Sequence, residues 1–164
     1  MTLLRIPYFD GAEIELDDGN APAIEAAAAL ETFQSLTAAD RLADSRHVYA
    51  YYQDIREAIG GEDWMDEEMG VPASPEAIWA HVTPTRISVS KGHGEDQHLY
   101  VALEAECGWE VEHGLMMVWR DGRVLCKVGE YDGHMTNASS GESEGPEDVV
   151  YAGLDEKYHT YRDR

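Results

Sequence analysis

Cysteine is scarce in this sequence. Only two, Cys107 and Cys126, occur among 164 residues, and neither belongs to a C-x-x-C pair. A disulfide framework or a cysteine-based zinc site needs more cysteines at characteristic spacings, so neither is expected. Because both stand in apolar, strand-like stretches, we expect two buried thiols in a reducing cytoplasm.

Long apolar runs are also missing. No stretch approaches the roughly 20 apolar residues that a membrane-spanning helix requires. The first residues, "MTLLRIPYFDGAEIELDDG", lack the basic region, apolar block and small-residue cleavage site of a secretory signal. The sequence therefore predicts a cytoplasmic protein without a membrane partner.

Positive charge is the third shortage. Twelve Lys and Arg residues stand against 33 Asp and Glu residues, which gives a net charge of −21. Such a charge repels nucleic acid and anionic membranes and attracts cationic partners. We therefore expect a basic protein as the partner and no nucleic acid. The alternative is that the charge only keeps the protein soluble.

The best-marked catalytic motifs are absent as well. The sequence has no glycine-rich phosphate loop, no G-x-S-x-G nucleophile elbow and no H-E-x-x-H zinc motif. These absences favour a binding protein over an enzyme.

Apolar periodicity predicts helices in the first half of the chain and strands in the second. We expect an α+β domain over residues 1–136, with N-terminal helices packed on a mostly antiparallel β-meander. An acidic linker and C-terminal tail follow over residues 137–164, with the tail either docked or loose. The predicted elements are strands 3–9 and 13–16, helices from Pro22 and from Thr37, a short helix at 75–82, and strands 85–90, 99–107, 115–120 and 123–128.

The helix from Thr37 is the best marked. Thr37 and Asp40 have the spacing of a capping box, and Gly60 ends the pattern. Its predicted apolar face comprises Leu42, Ser45, Tyr49, Tyr52, Ile55 or Arg56, and Ile59.

The last two strands form a predicted hairpin. Asp121-Gly122 is typical of a two-residue turn, which sets Arg120 opposite Arg123. In that register Met117 faces Cys126. Extending the register places His113 opposite Glu130.

Two clusters of acids and histidines, "EVEH" and "EYDGH", flank this hairpin. Imidazole nitrogens and carboxylate oxygens suit a divalent transition metal. The candidate metal ligands are His113, His134, Glu112 and Asp132. On a strand, however, Glu110 and Glu112 would point away from the face of His113. Hydrogen bonding at a sheet end and metal-free acid–base catalysis are the alternatives, and no other cofactor is expected.

The segment "GGEDWMDEEMGVPAS", residues 60–74, is a predicted loop with acids around a tryptophan. An aromatic anchor among charges is typical of a protein-binding hot spot. The candidate partner-binding residues are Asp63, Trp64, Asp66, Glu67 and Glu68. The alternative is a solvated linker.

The pattern W-E-x-E-H-G-L starting at Trp109, followed by D-G-H at Asp132, resembles the signature of an uncharacterised bacterial domain family. The resemblance covers roughly residues 62–136 and implies a relation to immunity proteins. The leading hypothesis is thus an immunity- or antitoxin-type protein that occludes a basic toxin or nuclease-like protein. The alternatives are a small metal-dependent hydrolase that uses His113 and His134, and a structural domain.

Overall fold

The computed structural model describes residues 1–17, 19–60, 64–137 and 149–162. The strands are β1 (Thr2–Ile6), β2 (Ala12–Leu16), β3 (Val82–Lys91), β4 (Leu99–Cys107), β5 (Leu115–Arg120), β6 (Val124–Gly129), β7 (Val149–Tyr151) and β8 (Thr160–Tyr161). The helices are α1 (Ala23–Phe33), α2 (Ala38–Ala58) and α3 (Trp64–Met69), and 3₁₀ turns span Pro7–Phe9, Pro75–His81 and Glu156–Tyr158.

The strands form one eight-stranded sheet whose spatial order follows the sequence. Neighbouring strands are antiparallel except at β2–β3 and β6–β7, which are parallel. The prediction of helices with a mostly antiparallel sheet is confirmed. The two predicted strands before the helices are found as β1 and β2. The predicted arrangement is matched only in part, because β2 joins the sheet in parallel with β3 and because β7 and β8 extend the sheet beyond the meander.

The main core lies between the sheet and the helices and is rich in aromatic rings. The ring of Trp119 lies 4.6 Å from that of Phe33 and 5.2 Å from that of Tyr8. A smaller apolar cluster occupies the other face of the sheet and comprises Tyr100, Ala102, Met116, Val118 and Cys126, with Met135 packed against it.

The two thiols are buried and free, as predicted. Burial raises the pKa of Cys107 to about 12 and that of Cys126 to about 11. Both side chains therefore remain thiols near neutral pH, and neither is a reactive nucleophile.

Helix α2 begins at the predicted capping box. The Thr37 hydroxyl accepts a hydrogen bond from the Ala39 N–H, and the Asp40 carboxylate accepts one from the Thr37 N–H. The predicted apolar face is displaced, because Leu42 and Ile59 are 48% and 47% exposed. The buried side chains of α2 are Ser45, His47, Val48, Ala50, Tyr51, Tyr52 and Asp54.

The polar members of this buried face bind the C-terminal segment. Asp54 accepts hydrogen bonds from the Tyr151 hydroxyl at 2.6 Å and the Leu154 N–H at 2.7 Å. His47 Nδ1 lies 2.7 Å from the Thr160 hydroxyl. A polar group can be buried when it has a partner, and hydropathy patterns do not show such partners. Residues 149–162 are thus held against α2, whereas residues 138–148 of the predicted linker lie outside the described residues.

The predicted register of the β5–β6 hairpin is wrong. Asp121 and Gly122 do form a tight turn with positive φ angles of 55° and 72°. However, Arg120 pairs with Val124 and not with Arg123. A further shift between Val118 and Trp119 makes Met117 pair with Val128. One extra residue at the turn, Arg123, and one extra residue within β6 therefore shift the pairing, as β-bulges do.

No helix within the described residues combines the length and the apolar character that crossing a membrane requires.

Gly122 is required at the hairpin turn for two reasons. Its φ is +72°, and a Cβ atom there would stand 2.2 Å from the carbonyl oxygen of Ala29 in α1. Gly94 has a similar φ of +63° but open space around it. We expect Gly122→Ala to lower the free energy of unfolding by about 2 kcal/mol more than Gly94→Ala does, because only Gly122→Ala also forces a backbone clash. Urea unfolding measures both values, and equal losses would contradict the packing of the turn on α1.

Burial makes acid unfolding sensitive to His47. Burial, and secondarily Arg46, lowers the pKa of His47 from 6.5 to about 3. Below pH 6.5 the unfolded chain therefore binds a proton at His47 that the folded protein does not bind. Stability falls as the pH drops from 6.5 towards 3, by a few kcal/mol in total.

We expect His47→Gln to flatten this dependence, because glutamine does not titrate. The measurement is urea unfolding at several pH values between 3 and 7. If the free energy of unfolding depends on pH with the same slope in both proteins, His47 is not buried in its neutral form.

Candidate functional site

The side chain of Asp132 and the backbone of His134, two of the predicted metal ligands, bind a buried lysine. Lys127 is 1% exposed, and its ammonium donates to the two carboxylate oxygens of Asp132 at 2.5 and 2.7 Å. The same ammonium donates to the carbonyl of His134 at 3.0 Å, and the His134 N–H donates to Asp132 at 2.9 Å. The Asp132 carboxylate thus neutralises Lys127, and the backbone of His134 satisfies a further hydrogen bond of the ammonium.

The other histidine, His113, has different neighbours. Its Nδ1 lies 3.4 Å from a carboxylate oxygen of Glu110 and 3.7 Å from one of Glu130. Among the described residues, these three side chains form the group whose ligand atoms all lie within 4.8 Å of one another. Glu112, Asp132 and His134 lie outside this group. We call Glu110, His113 and Glu130 the Glu–His–Glu cluster.

Residues 110–113 form a turn, which explains why the parity of a strand does not separate Glu110 from His113. The Gly114 N–H donates to the Glu110 carbonyl at 2.9 Å, which closes one helical turn. One carboxylate oxygen of Glu110 accepts from the backbone N–H groups of Glu112 and His113. On such a turn, side chains three residues apart lie on the same side.

Neighbouring elements fix the position of this turn. The Tyr51 hydroxyl of α2 donates to the Gly114 carbonyl at 2.9 Å. Gly114 has a φ of +67°, and a Cβ atom there would lie 2.6 Å from the Ala105 carbonyl oxygen. The Tyr131 N–H donates to the His113 carbonyl at 3.3 Å. This last bond brings Glu130 beside His113.

A cavity of about 560 Å³ adjoins the cluster. It lies between the C-terminal half of α2 and the ends of β6 and β7. Glu110 and Glu130 supply carboxylates to its wall, and the remaining lining is mostly apolar or aromatic. This combination of apolar walls and a few polar groups is typical of a small-molecule site. The other lining residues are Tyr51, Ile55, Ala58, Ile59, Val128, Gly129, Tyr151, Ala152, Gly153 and Leu154.

The predicted partner-binding segment contains a helix where a loop was expected. Asp66 and Glu67 lie in the first turn of α3, where negative charge favours a helix. Asp66 accepts two hydrogen bonds from Arg56 of α2, at 2.9 and 2.7 Å, and these bonds lower its pKa. Met65 is buried in the core. The ion pair attaches α3 to α2, and Met65 anchors α3 in the core.

The remaining predicted partner-binding residues are exposed where the structure describes them. Trp64 is 43% exposed, and Glu67 and Glu68 are also exposed. Asp63 lies outside the described residues. Beyond α3, Val71 is 62% exposed and lines a second cavity of about 330 Å³, together with Tyr49, Tyr52, Gln53, Arg56, Glu57, Gly60 and Tyr158. We call Trp64, Glu67, Glu68 and Val71 the Trp64 surface.

The chain belongs to a family described as a domain of unknown function (DUF6985), whose model matches residues 2–135. The match includes the N-terminal helices, which the resemblance over residues 62–136 did not cover. No curated protein and no solved structure matches the chain.

The pair of Lys127 and Asp132 generates a stability prediction. We expect Asp132→Asn to lower the free energy of unfolding by about 3 kcal/mol, because it leaves a buried ammonium without its carboxylate. The double variant Lys127→Met/Asp132→Asn removes the charge as well and should recover most of the loss. Glu112→Gln, an exposed control, should change stability by less than about 0.5 kcal/mol. Urea unfolding of the four proteins checks this, and a loss for Asp132→Asn as small as that for Glu112→Gln would contradict it.

Proposed function

We propose that this protein is an acidic cytoplasmic binding protein of the immunity or antitoxin type, which occludes a basic protein such as a toxin or a nuclease-like enzyme. The observation that carries the proposal is the Trp64 surface. Trp64, Glu67 and Glu68 are exposed on α3 at spacings of three and four residues, which share one side of a helix, and Val71, two residues beyond α3, is exposed as well. The excess of negative charge in the whole chain supports it.

Internal ion pairs already engage many of the basic side chains. Examples among the described residues are Arg41 with Asp10, Arg56 with Asp66, Lys91 with Glu25, Lys127 with Asp132, and Lys157 with Glu57. The chain's own cations cannot balance its 33 acids, so a net charge of −21 remains to attract cations from outside. Long-range attraction of this kind mainly raises the association rate.

The Trp64 surface adds short-range contacts to this attraction. The indole of Trp64 offers apolar area and a ring face that attracts Lys and Arg side chains. Glu67 and Glu68 can pair with the same basic groups. The salt bridge from Asp66 to Arg56 and the buried Met65 hold α3 in place, so binding requires little ordering of this helix.

The alternative of a hydrolase built on His113 and His134 has less support. His134 lies in the loop that binds Lys127, whereas His113 lies beside Glu110 and Glu130. The two histidines thus have different neighbours, so a hydrolase that uses both is less well supported than binding through the Trp64 surface.

The test is a pull-down from a lysate of the native host, with the full chain as bait. We expect a basic protein to be retained at low salt and released as salt rises. With that protein purified, Trp64→Ala should weaken binding by about tenfold or more, as expected for a hot spot. Glu67→Gln/Glu68→Gln should mainly lower the association rate, measured by surface plasmon resonance.

Matched controls separate a local effect from a global one. Ile24 of α1 is 87% exposed, so Ile24→Ala removes an exposed apolar side chain from another face. Glu13→Gln/Glu31→Gln changes the net charge by the same amount as the α3 double variant, also at exposed positions. If the controls weaken binding as much as the α3 variants, the Trp64 surface is not the binding site. If no basic protein is retained at low salt, the proposed function is wrong.

A further inference from the structure

We propose that the Glu–His–Glu cluster is a binding site for one divalent transition-metal ion such as Zn²⁺. Glu110, His113 and Glu130 would be its protein ligands. The site is independent of the Trp64 surface and goes beyond the proposed function.

The spacing of the three ligand atoms fits such an ion. Zinc binds imidazole nitrogen and carboxylate oxygen at about 2.1 Å with tetrahedral geometry, which places neighbouring ligand atoms about 3.4 Å apart. The Nδ1 atom of His113 lies 3.4 Å from the Glu110 oxygen and 3.7 Å from the Glu130 oxygen. All three ligand atoms lie within 4.8 Å of one another. If one carboxylate moved by less than about 1.5 Å, the three ligand atoms would therefore have the spacing of one face of the coordination tetrahedron.

Backbone hydrogen bonds position two of the ligands, Glu110 and His113, before an ion binds. The turn closed by the Gly114 N–H keeps Glu110 and His113 on one side, and backbone N–H groups hold the Glu110 carboxylate. Glu130 is 48% exposed, so its side chain has room to adjust. Prior ordering of two ligands lowers the entropy cost of binding, and one adjustable ligand allows the geometry to close.

Charge also favours a cation at this place. Within the described part of the chain, the ion pairs of Glu110 and Glu130 are both with His113. Among the described residues, no lysine or arginine forms an ion pair with either of these two carboxylates. Asp66 and Asp132, in contrast, each pair with a basic side chain. Two carboxylates that share one histidine repel each other, and a divalent ion would relieve that repulsion.

The cavity is an independent observation that points to a ligand. Glu110 and Glu130 belong to the wall of the 560 Å³ cavity, so an ion between them would border it. Three protein ligands leave one tetrahedral position for water or another ligand, as in sites that bind and activate small molecules. The apolar walls include Ile55, Val128 and Leu154. The matching ligand class is a small molecule with an oxygen donor for the metal and an apolar body for the cavity.

The experiment is a calorimetric titration of Zn²⁺ into the full chain, purified without a histidine tag, stripped with a chelator and kept at high salt. We expect one ion per chain. His113→Ala and Glu130→Gln should each weaken binding by at least about tenfold, because even residues behind the ligands have effects of this size. Zn²⁺ should also raise the melting temperature of the wild-type protein and not that of His113→Ala.

Three controls make the result specific. Glu112→Gln and His134→Ala change an acid and a histidine close to the cluster in the sequence but outside it, and should keep the wild-type affinity. Trp64→Ala should also keep it, which separates this site from the partner-binding surface. Circular dichroism verifies that each variant is folded.

Two results would overturn the proposal. One is the absence of stoichiometric zinc binding, in which case His113 only forms ion pairs with the two glutamates. The other is an equal loss of affinity in Glu112→Gln or His134→Ala, which would mean diffuse attraction to an acidic chain.

Discussion

The buried polar face of α2 is the constraint on which the rest of the structure depends. Asp54 binds Tyr151 and Leu154 and so attaches the C-terminal segment, which adds the last two strands to the sheet. The Tyr51 hydroxyl binds the Gly114 carbonyl and fixes the turn that carries His113. Arg56 on the same helix binds Asp66 and fixes α3. The bonds of Asp54 and Tyr51 join segments that are distant in the sequence, and the three bonds together position both candidate sites. A helix with a purely apolar buried face would pack as well but would not fix these segments so specifically.

Charge has two different roles in this protein. Within the fold, basic side chains form ion pairs at close range, and the bidentate pair of Arg56 with Asp66 is the clearest case. Over the whole chain, the surplus of acids leaves a net charge of −21, which the chain's own lysines and arginines do not balance. Folding gains little from such a surplus, since like charges repel. Its benefit is expected in solubility and in the attraction of cations. The proposed partner surface uses that attraction over a distance, whereas the proposed metal site uses two carboxylates at close range.

Short sequence motifs predicted the local secondary structure well. The capping box at Thr37, the bounds of β4 and the tight turn at Asp121-Gly122 depend on neighbouring residues alone, and all three are found. Long-range pairing could not be predicted in the same way. One extra residue at the turn and one within β6 shift the register, and the shift makes Val118 pair with Lys127. His113 was predicted to lie with Glu112, Asp132 and His134, but its observed neighbours are Glu110 and Glu130, because residues 110–113 form a turn and because the chain after β6 places Glu130 beside it. The parallel pairings of β2 and β7 also depend on contacts that no sequence period shows.

The central claim is that this acidic protein binds a basic partner through the Trp64 surface. Amide hydrogen exchange of the chain, with and without the basic protein that it retains, tests this most directly. The account predicts that added protection is concentrated in α3 and the residues up to Val71. It also predicts that β1, the edge strand of the sheet, exchanges at the same rate in both states. Protection confined to other elements, with α3 exchanging unchanged in the complex, would contradict the account.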